Sequence, residues 1–209
     1  IRDSDYEGGL RVLLKYIDTD PPLAEEACKY IIFLVSADQL YKVALGMYDL
    51  SLALMIAQQS PRDPREYVPF LRDLRSKEPL EYQRFCIDDH LGHHAKALAW
   101  LARSGDESRM GSGMAYMVQH KLYREGLKAF ANDPERLREA YARFGDYLSS
   151  HQRAAEAATA YELAGRLIDA MNAYKEADQW QQALTLAQKT RMAGPEPVSY
   201  THLTLPTIC

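Results

Sequence analysis

Apolar residues recur three and four positions apart along most of the chain, the spacing that places them on one face of an α-helix. The intervening residues are rich in Ala, Leu, Glu, Lys, Gln and Arg, which favour helix. Prolines lie almost entirely between the periodic segments, at positions 21, 22, 61, 64, 69, 79 and 134. Because no stretch before residue 193 alternates between apolar and polar residues as a strand does, the pattern predicts an all-α protein.

The same spacing predicts thirteen helices. Two of the starts carry a specific signal, because Asp63 precedes Pro64 and Asp133 precedes Pro134. An Asp N-cap followed by Pro at the first helical position is a favoured start of a helix. The predicted helices cover residues 5–17, 23–36, 38–46, 48–59, 63–75, 79–91, 93–103, 108–119, 122–131, 134–149, 153–164, 167–177 and 180–190.

An internal repeat with a step of 13 residues marks the second half of the chain. A small residue one helical turn before an aromatic lets a neighbouring helix approach closely, while the aromatic ring fills the adjoining space. We therefore expect the tyrosines of the repeat to be core residues with their hydroxyls at the rim. The small residue recurs as Ala157, Ala170 and Ala183, and Tyr161, Tyr174 and Ala187 follow four positions later.

Each repeat holds a helix too short to bury its apolar face alone, so such units must stack on one another. Gly165 and Asp178 follow the repeated helices and are expected to end them. An earlier echo of the pattern runs through Ala97, Leu101 and Gly105. The repeat predicts a tetratricopeptide-like α-solenoid of stacked antiparallel helices over residues 1–192.

Composition excludes several classes of protein. Hydrophobic residues make up 47% and charged residues 26% of the 209 residues, and the net charge is −4, so nothing global indicates a nucleic-acid or membrane surface. The longest apolar run, residues 30–35, is far shorter than the roughly 20 residues of a membrane span. We interpret this run as a buried helix, with a core strand as the alternative.

Cysteine usage indicates a reducing compartment. Cys28, Cys86 and Cys209 lie far apart and form no CxxC pair, which is typical of free thiols. We therefore expect a cytoplasmic protein. The chain begins at Ile1, and we expect it to be a fragment.

A group of potential metal ligands is concentrated around residue 90, namely Cys86, Asp88, Asp89, His90, His93 and His94. On one helix Cys86, His90 and His93 would share a face, which is a geometry that zinc can use. Gly92 interrupts that helix, however, and structural zinc sites usually draw ligands from two segments. We expect a helix end here, with the histidines beside the C-terminal dipole, and no metal site.

The chain lacks a recognisable catalytic motif. The segment 111–113 (GSG) is not a phosphate loop, because no strand precedes it and no Lys-Ser or Lys-Thr follows, so we interpret it as a flexible link between helices. No nucleophile elbow or catalytic spacing of Ser, His and Asp is present. We expect no enzyme activity, no catalytic, cofactor-binding or metal residues, and no cofactor.

A basic run crosses residues 121–143, but acidic residues are interleaved with it at helical spacing. Such alternation is typical of a solvated helix face rather than of a phosphate-binding surface. Contact with tRNA through this run is therefore a secondary alternative. The run contains Lys121, Arg124, Lys128, Arg136, Arg138 and Arg143, and the acidic residues are Glu125, Asp133, Glu135 and Glu139.

Four segments resemble the largest subunit of the Elongator complex, also called IKAP. They are residues 57–71 (AQQSPRDPREYVPFL), 88–98 (DDHLGHHAKAL), 120–127 (HKLYREGL) and 144–148 (FGDYL), in the order found in that family. The similarity covers roughly residues 5–190. Gly126 and the glycines of 111–113 depart from the family pattern, and we expect both to weaken the local helix.

The resemblance implies the helical-repeat region in the carboxy-terminal half of that subunit, without the family's propellers, its dimerisation segment or its basic tRNA-linked stretch. It implies a scaffold that contacts other Elongator subunits in the cytoplasm or also the nucleus, while the wobble-uridine chemistry belongs to another subunit. The full-length family is homodimeric. The alternatives are a tRNA-contacting surface in the same complex and a solenoid of the vesicle-coat or intraflagellar-transport type.

The last residues break the helical pattern. From Gly194 onward the sequence GPEPVSYTHLTLPTIC is unlike anything before it and resembles translated sequencing-adaptor read-through. We expect residues 193–209 to be a non-native or disordered tail whose removal leaves stability unchanged, a natural flexible tail being the alternative.

Overall fold

The computed structural model describes residues 3–17, 19–104 and 107–193. Every described element is helical, and each lies within three residues of a predicted one, so the all-α prediction is confirmed. Gly105 and residues 194–209 fall outside the described residues, and the tail prediction therefore stays a prediction. The helices are α1 (Asp3–Ile17), α2 (Pro21–Leu34), α3 (Ala37–Gly46), α4 (Leu50–Gln58), α5 (Pro64–Ser76), α6 (Leu80–His90), α7 (His94–Arg103), α8 (Glu107–Gln119), α9 (Tyr123–Ala129), α10 (Pro134–Ser150), α11 (Ala154–Ala164), α12 (Leu167–Glu176) and α13 (Trp180–Ala193).

The chain divides into two compact units, a first unit of residues 1–129 and a second unit of residues 130–209. Consecutive helices pack against each other as antiparallel neighbours within each unit. In the first unit α1 also packs on α3, α2 on α4 and α7 on α9, which is the layered contact expected of stacked helical hairpins. None of the described helices has the length and apolar character needed to cross a lipid bilayer.

One type of backbone turn recurs in both units. At five helix ends a residue with positive φ follows the helix, and the next amide donates to the carbonyl five residues back, at 2.8–3.0 Å. This Schellman arrangement satisfies carbonyls that the helix end leaves unpaired. The positive-φ residues are Gly92, Lys121, Gln152, Gly165 and Asp178. The last three are spaced 13 residues apart, so the predicted step and the predicted helix ends at Gly165 and Asp178 are confirmed.

The two predicted Asp-Pro starts are confirmed. The carboxylate of Asp63 accepts a hydrogen bond from the Arg65 amide at 2.8 Å, and α5 begins at Pro64. The carboxylate of Asp133 accepts one from the Arg136 amide at 3.2 Å. A third such start, with Asp20 as the N-cap of α2, was missed by the sequence interpretation, which began this helix at residue 23.

The core of the second unit is built from the repeated alanines and tyrosines. Ala157, Ala170 and Ala183 are buried, and Tyr161 and Tyr174 are each only 7% exposed, which confirms the predicted core positions. Gly145 of α10 lies directly against the Tyr161 ring, since a Cβ at this position would come within 2.7 Å of two ring carbons. Small residues therefore let neighbouring helices close around each aromatic ring.

Three interpretations of the sequence are wrong in part. The apolar run 30–35 is helical up to Leu34 but is not buried, because α2 turns Ala24 and Cys28 to the core and leaves Tyr30, Phe33 and Leu34 at 67%, 86% and 63% exposure. Residues 111–113 lie inside α8 and are not a link between helices.

Gly126 is needed for packing. A Cβ there would come within 2.2 Å of the Met117 sulfur, so glycine lets α9 approach α8 closely. Its intrinsic cost to the helix is offset by this close approach.

Candidate functional site

A buried carboxylate lies at the centre of the first unit. The side chain of Asp88, in the last turn of α6, is 1% exposed. One of its oxygens accepts hydrogen bonds from the Tyr48 hydroxyl at 2.7 Å and from the Trp100 indole N–H at 2.9 Å. The other lies 3.4 Å from Nδ1 of His93. A buried carboxylate is costly unless its oxygens are paired, and here three different segments supply the partners.

An arginine covers this cluster. The guanidinium carbon of Arg84 lies 5.2 Å from the centre of the Tyr48 ring and 4.7 Å from that of Trp100, within the range of cation–π attraction. Burial, and then the hydrogen bond to Asp88, raises the pKa of the Tyr48 hydroxyl. The hydroxyl therefore remains a donor at neutral pH, and the arrangement acts as a structural tie between α6, α7 and the α3–α4 junction.

A second polar cluster lies at the surface of the same unit. The Tyr116 hydroxyl donates to Oδ1 of Asp89 at 2.6 Å and lies 2.7 Å from Nδ1 of His94. The rings of His94 and His120 stack with centres 4.0 Å apart. Burial, followed by the bond to Asp89, raises the pKa of Tyr116. The end of α6, the start of α7 and the end of α8 thus present imidazole, carboxylate and phenol groups together.

The ligand group predicted around residue 90 is dispersed by the fold. The Gly92 turn ends α6, as expected, with φ at 75°. The His90 ring packs on Phe70 at 4.5 Å, and His93 faces Asp88. Cys86 is half-buried and free, and burial raises the pKa of its thiol.

Only His94 of the four expected residues that could bind metal joins a close group of ligand atoms among the described residues, together with Asp89 and His120. Sequence reasoning missed His120, because it lies 26 residues from His94 and only helix packing brings the two together.

The other cysteine that the structure describes is also unreactive in character. Cys28 is buried and free, and burial raises the pKa of its thiol to about 11. Such a thiol remains protonated near neutral pH and behaves as a small apolar core residue.

The second unit uses carboxylates differently. The Tyr161 hydroxyl donates to Asp146 at 3.0 Å, and the Tyr174 hydroxyl donates to Glu162 at 3.0 Å. In both cases the acceptor belongs to the preceding helix, so each tyrosine joins two helices through its ring and its hydroxyl. Burial is the main cause that raises the pKa of both tyrosines, and the carboxylate contact adds to it.

Part of the basic run of residues 121–143 is neutralised locally. Arg136 lies 3.3 Å from the Asp133 carboxylate, and Arg143 lies 3.4 Å from that of Glu139. Paired charges at helical spacing are typical of a solvated surface and offer less free charge to phosphate.

Comparison with known proteins identifies two matching families. Residues 13–74 match the ELP1 alpha-solenoid family, and residues 82–204 match the ELP1 TPR domain family. The second match covers α6 to α13, which include both polar clusters, and it continues into the segment predicted to be a tail.

Curated relatives give the same result. The chain is 42% identical over 159 residues to Elongator complex protein 1 of Saccharomyces cerevisiae, covering 76% of this chain and 12% of the relative. It is 36% identical over 183 residues to the protein of that name from Drosophila melanogaster, and 38% identical over 184 residues to that of Schizosaccharomyces pombe. Each of these two matches covers 88% of this chain and 14% of the relative. The chain therefore spans about an eighth of the relatives' length and belongs to the Elongator complex protein 1 family, as part of its α-solenoid and tetratricopeptide-like region.

Proposed function

We propose that this chain is a non-catalytic scaffold segment that holds other subunits of the Elongator complex together and thereby supports modification of the wobble uridine in tRNA. Its family supports the first part, because the relatives are named as proteins of that complex. The helical-repeat architecture supports the second, since such arrays act through extended surfaces.

The exposed face of α2 carries this proposal. Leu23, Tyr30 and Leu34 follow one another at helical spacing on the face opposite the core, with Phe33 beside them. Large apolar side chains grouped at the surface are typical of protein–protein contacts, where aromatic residues contribute most of the binding energy. We assign this face to contact with another protein subunit of the complex.

The experiment places Phe33→Glu in the full-length protein and measures recovery of the other subunits by pull-down. A charge buried in an aromatic contact removes at least about 2 kcal/mol of binding, or roughly a 30-fold loss of affinity. The matched control is Gln182→Glu, which adds the same charge at an exposed position of α13. Wobble-uridine modification should fall in parallel with subunit recovery, while the catalytic subunit keeps its own activity when assayed separately.

Two outcomes would reject the assignment. Equal recovery with Phe33→Glu and Gln182→Glu would show that α2 contacts no other subunit. If Phe33→Glu lowered the melting temperature of the isolated full-length protein by several degrees, the face would pack within the same polypeptide.

Contact with tRNA remains the alternative proposal for the same complex. Substitution of Lys121, Arg124 and Lys128 by Ser would then abolish tRNA binding while leaving subunit recovery intact. That result would replace the scaffold proposal, whereas unchanged tRNA binding would reject the alternative.

A further inference from the structure

The surface cluster of the first unit contains ligand types that no part of the scaffold role requires. Asp89, His94 and His120 each offer one nitrogen or oxygen atom, and these atoms all lie within 4.8 Å of one another. Nδ1 of His94 and Oδ1 of Asp89 are already 3.6 Å apart. Zinc holds nitrogen and oxygen ligands at about 2.0–2.1 Å, so neighbouring ligands of a tetrahedral ion lie about 3.4 Å apart. Small side-chain rotations would therefore bring all three onto one ion.

We propose that Asp89, His94 and His120 form a Zn²⁺ site in the first unit. Two imidazoles and one carboxylate match the ligand preferences of zinc, whereas magnesium and calcium prefer oxygen ligands alone. The side chains of Asp89 and His94 are 45% and 38% exposed, so an ion can enter from solvent and keep a water molecule as its fourth ligand. This site differs from the expectation drawn from the sequence that the chain has no metal residues.

Neighbouring groups hold these ligands in place. The Tyr116 hydroxyl donates to the Asp89 carboxylate, and its own ring packs against His120 with centres 4.3 Å apart. Hydrogen-bonded partners of this kind orient metal ligands, and their loss typically weakens metal binding by about 10–100-fold. The Gly92 turn fixes the other side of the site, because it sets the start of α7 directly after the end of α6.

The proposed ion would join three helices. Asp89 lies at the end of α6, His94 is the first residue of α7, and His120 follows α8. The helix α8 is otherwise tied to α7 by packing alone at this end, apart from the hydrogen bonds of Tyr116. Zinc at this point would stabilise the arrangement of these helices without taking part in any reaction.

Calorimetric titration with ZnCl₂ tests the proposal on the full chain, purified without a polyhistidine tag and stripped of metal by a chelator. We expect one Zn²⁺ per chain, no binding of Mg²⁺, and a melting temperature that rises by several degrees in excess zinc, because the ion binds the folded state. His120→Gln should weaken zinc binding by more than about tenfold, and Tyr116→Phe by about 10–100-fold. His151→Gln is the matched control, since His151 is an exposed histidine whose ring contacts only its own helix α10 in the described contacts.

Substitution by Co²⁺ provides a test that does not depend on a variant folding correctly. Cobalt bound by nitrogen and oxygen gives a visible absorption band without the intense near-ultraviolet band of a thiolate ligand, so the spectrum distinguishes this site from binding at Cys28 or Cys86. Less than one zinc per chain, a thiolate band, or equal affinity of His120→Gln and the unaltered chain would each overturn the proposal. Equal losses with His120→Gln and His151→Gln would show adventitious binding only.

Discussion

The two units solve the problem of burying short helices in different ways. Of the twelve largest fully buried side chains among the described residues, eleven lie in the first unit, ten of them Leu, Ile or Met and the remaining one Asp88. The second unit contributes only Leu148 and relies instead on alanines packed around two tyrosines. A core of large aliphatic side chains is filled by many interchangeable residues, whereas an alanine core depends on a few aromatic rings.

This difference locates the sensitive points of each unit. In the first unit the polar interior is concentrated in one carboxylate with several donors, and in the second each tyrosine has its own carboxylate on the preceding helix. The chain also has one tryptophan in each unit, Trp100 and Trp180. Replacing either one with Phe leaves the other as a fluorescence probe of its own unit.

The largest effect is expected from Asp88→Ala. This change leaves the Tyr48 hydroxyl and the Trp100 indole N–H without an acceptor in the interior, so it should lower the free energy of unfolding of the first unit by about 3–5 kcal/mol. Asp88→Asn keeps one acceptor and should cost less than half of that. Urea unfolding followed by Trp100 fluorescence in a Trp180→Phe background measures both. A loss below about 1 kcal/mol for Asp88→Ala would show that the carboxylate is not the centre of this core.

The next effect concerns the aromatic rings of the second unit. Tyr161→Ala and Tyr174→Ala should each lower its free energy of unfolding by about 2–4 kcal/mol, because each leaves a cavity among alanines that cannot fill it. The Phe variants remove only the hydroxyl contact and should cost about 1 kcal/mol. Thermal and urea unfolding followed at Trp180 would contradict the helix-face assignment if both Ala variants lost less than about 0.5 kcal/mol.

A smaller effect compares the two close glycine contacts. Gly145→Ala forces a methyl group against the rigid Tyr161 ring and should cost about 1–3 kcal/mol. Gly126→Ala meets the Met117 side chain, which has more rotatable bonds, and should cost less. Gly9→Ala is the control, since open space surrounds its Cβ position and the change should stabilise α1. An equal loss for Gly145→Ala and Gly126→Ala would mean that ring rigidity does not distinguish the two units.

The smallest effect concerns the turns. Gln152 adopts a φ of 60°, which costs a residue with a side chain about 1 kcal/mol or more, so Gln152→Gly should stabilise the second unit by roughly 0.5–1 kcal/mol. Gly165→Ala should have the opposite sign at an equivalent turn. Both are measured as shifts in the urea midpoint, and a destabilising Gln152→Gly would indicate that the glutamine side chain contributes to the turn.

The sequence predicted the helices and the second unit's core well because both depend on local periodicity. Apolar spacing and Asp-Pro pairs act within one helix, and the repeated Ala-Tyr pair shows its partner one step along the chain. The first unit offers no such period, since Leu, Ile and Met can replace one another at its buried positions without changing the contact.

The polar clusters could not be predicted for a different reason. Tyr48 lies 40 residues from Asp88 and meets it only after several helices have packed. The exposure of Tyr30 and Phe33 was also missed, because an apolar run does not indicate which side of a helix has a neighbour.

The recurring turn has a consequence for how such a chain can change over time. Because backbone amides and carbonyls close all five Schellman turns, glycine, lysine, glutamine and aspartate all occupy the same position in them. Sequence drift at these sites alters stability by small amounts but leaves the reversal of the chain intact. Binding surfaces can therefore diverge between lineages while the backbone path that carries them is inherited nearly unchanged.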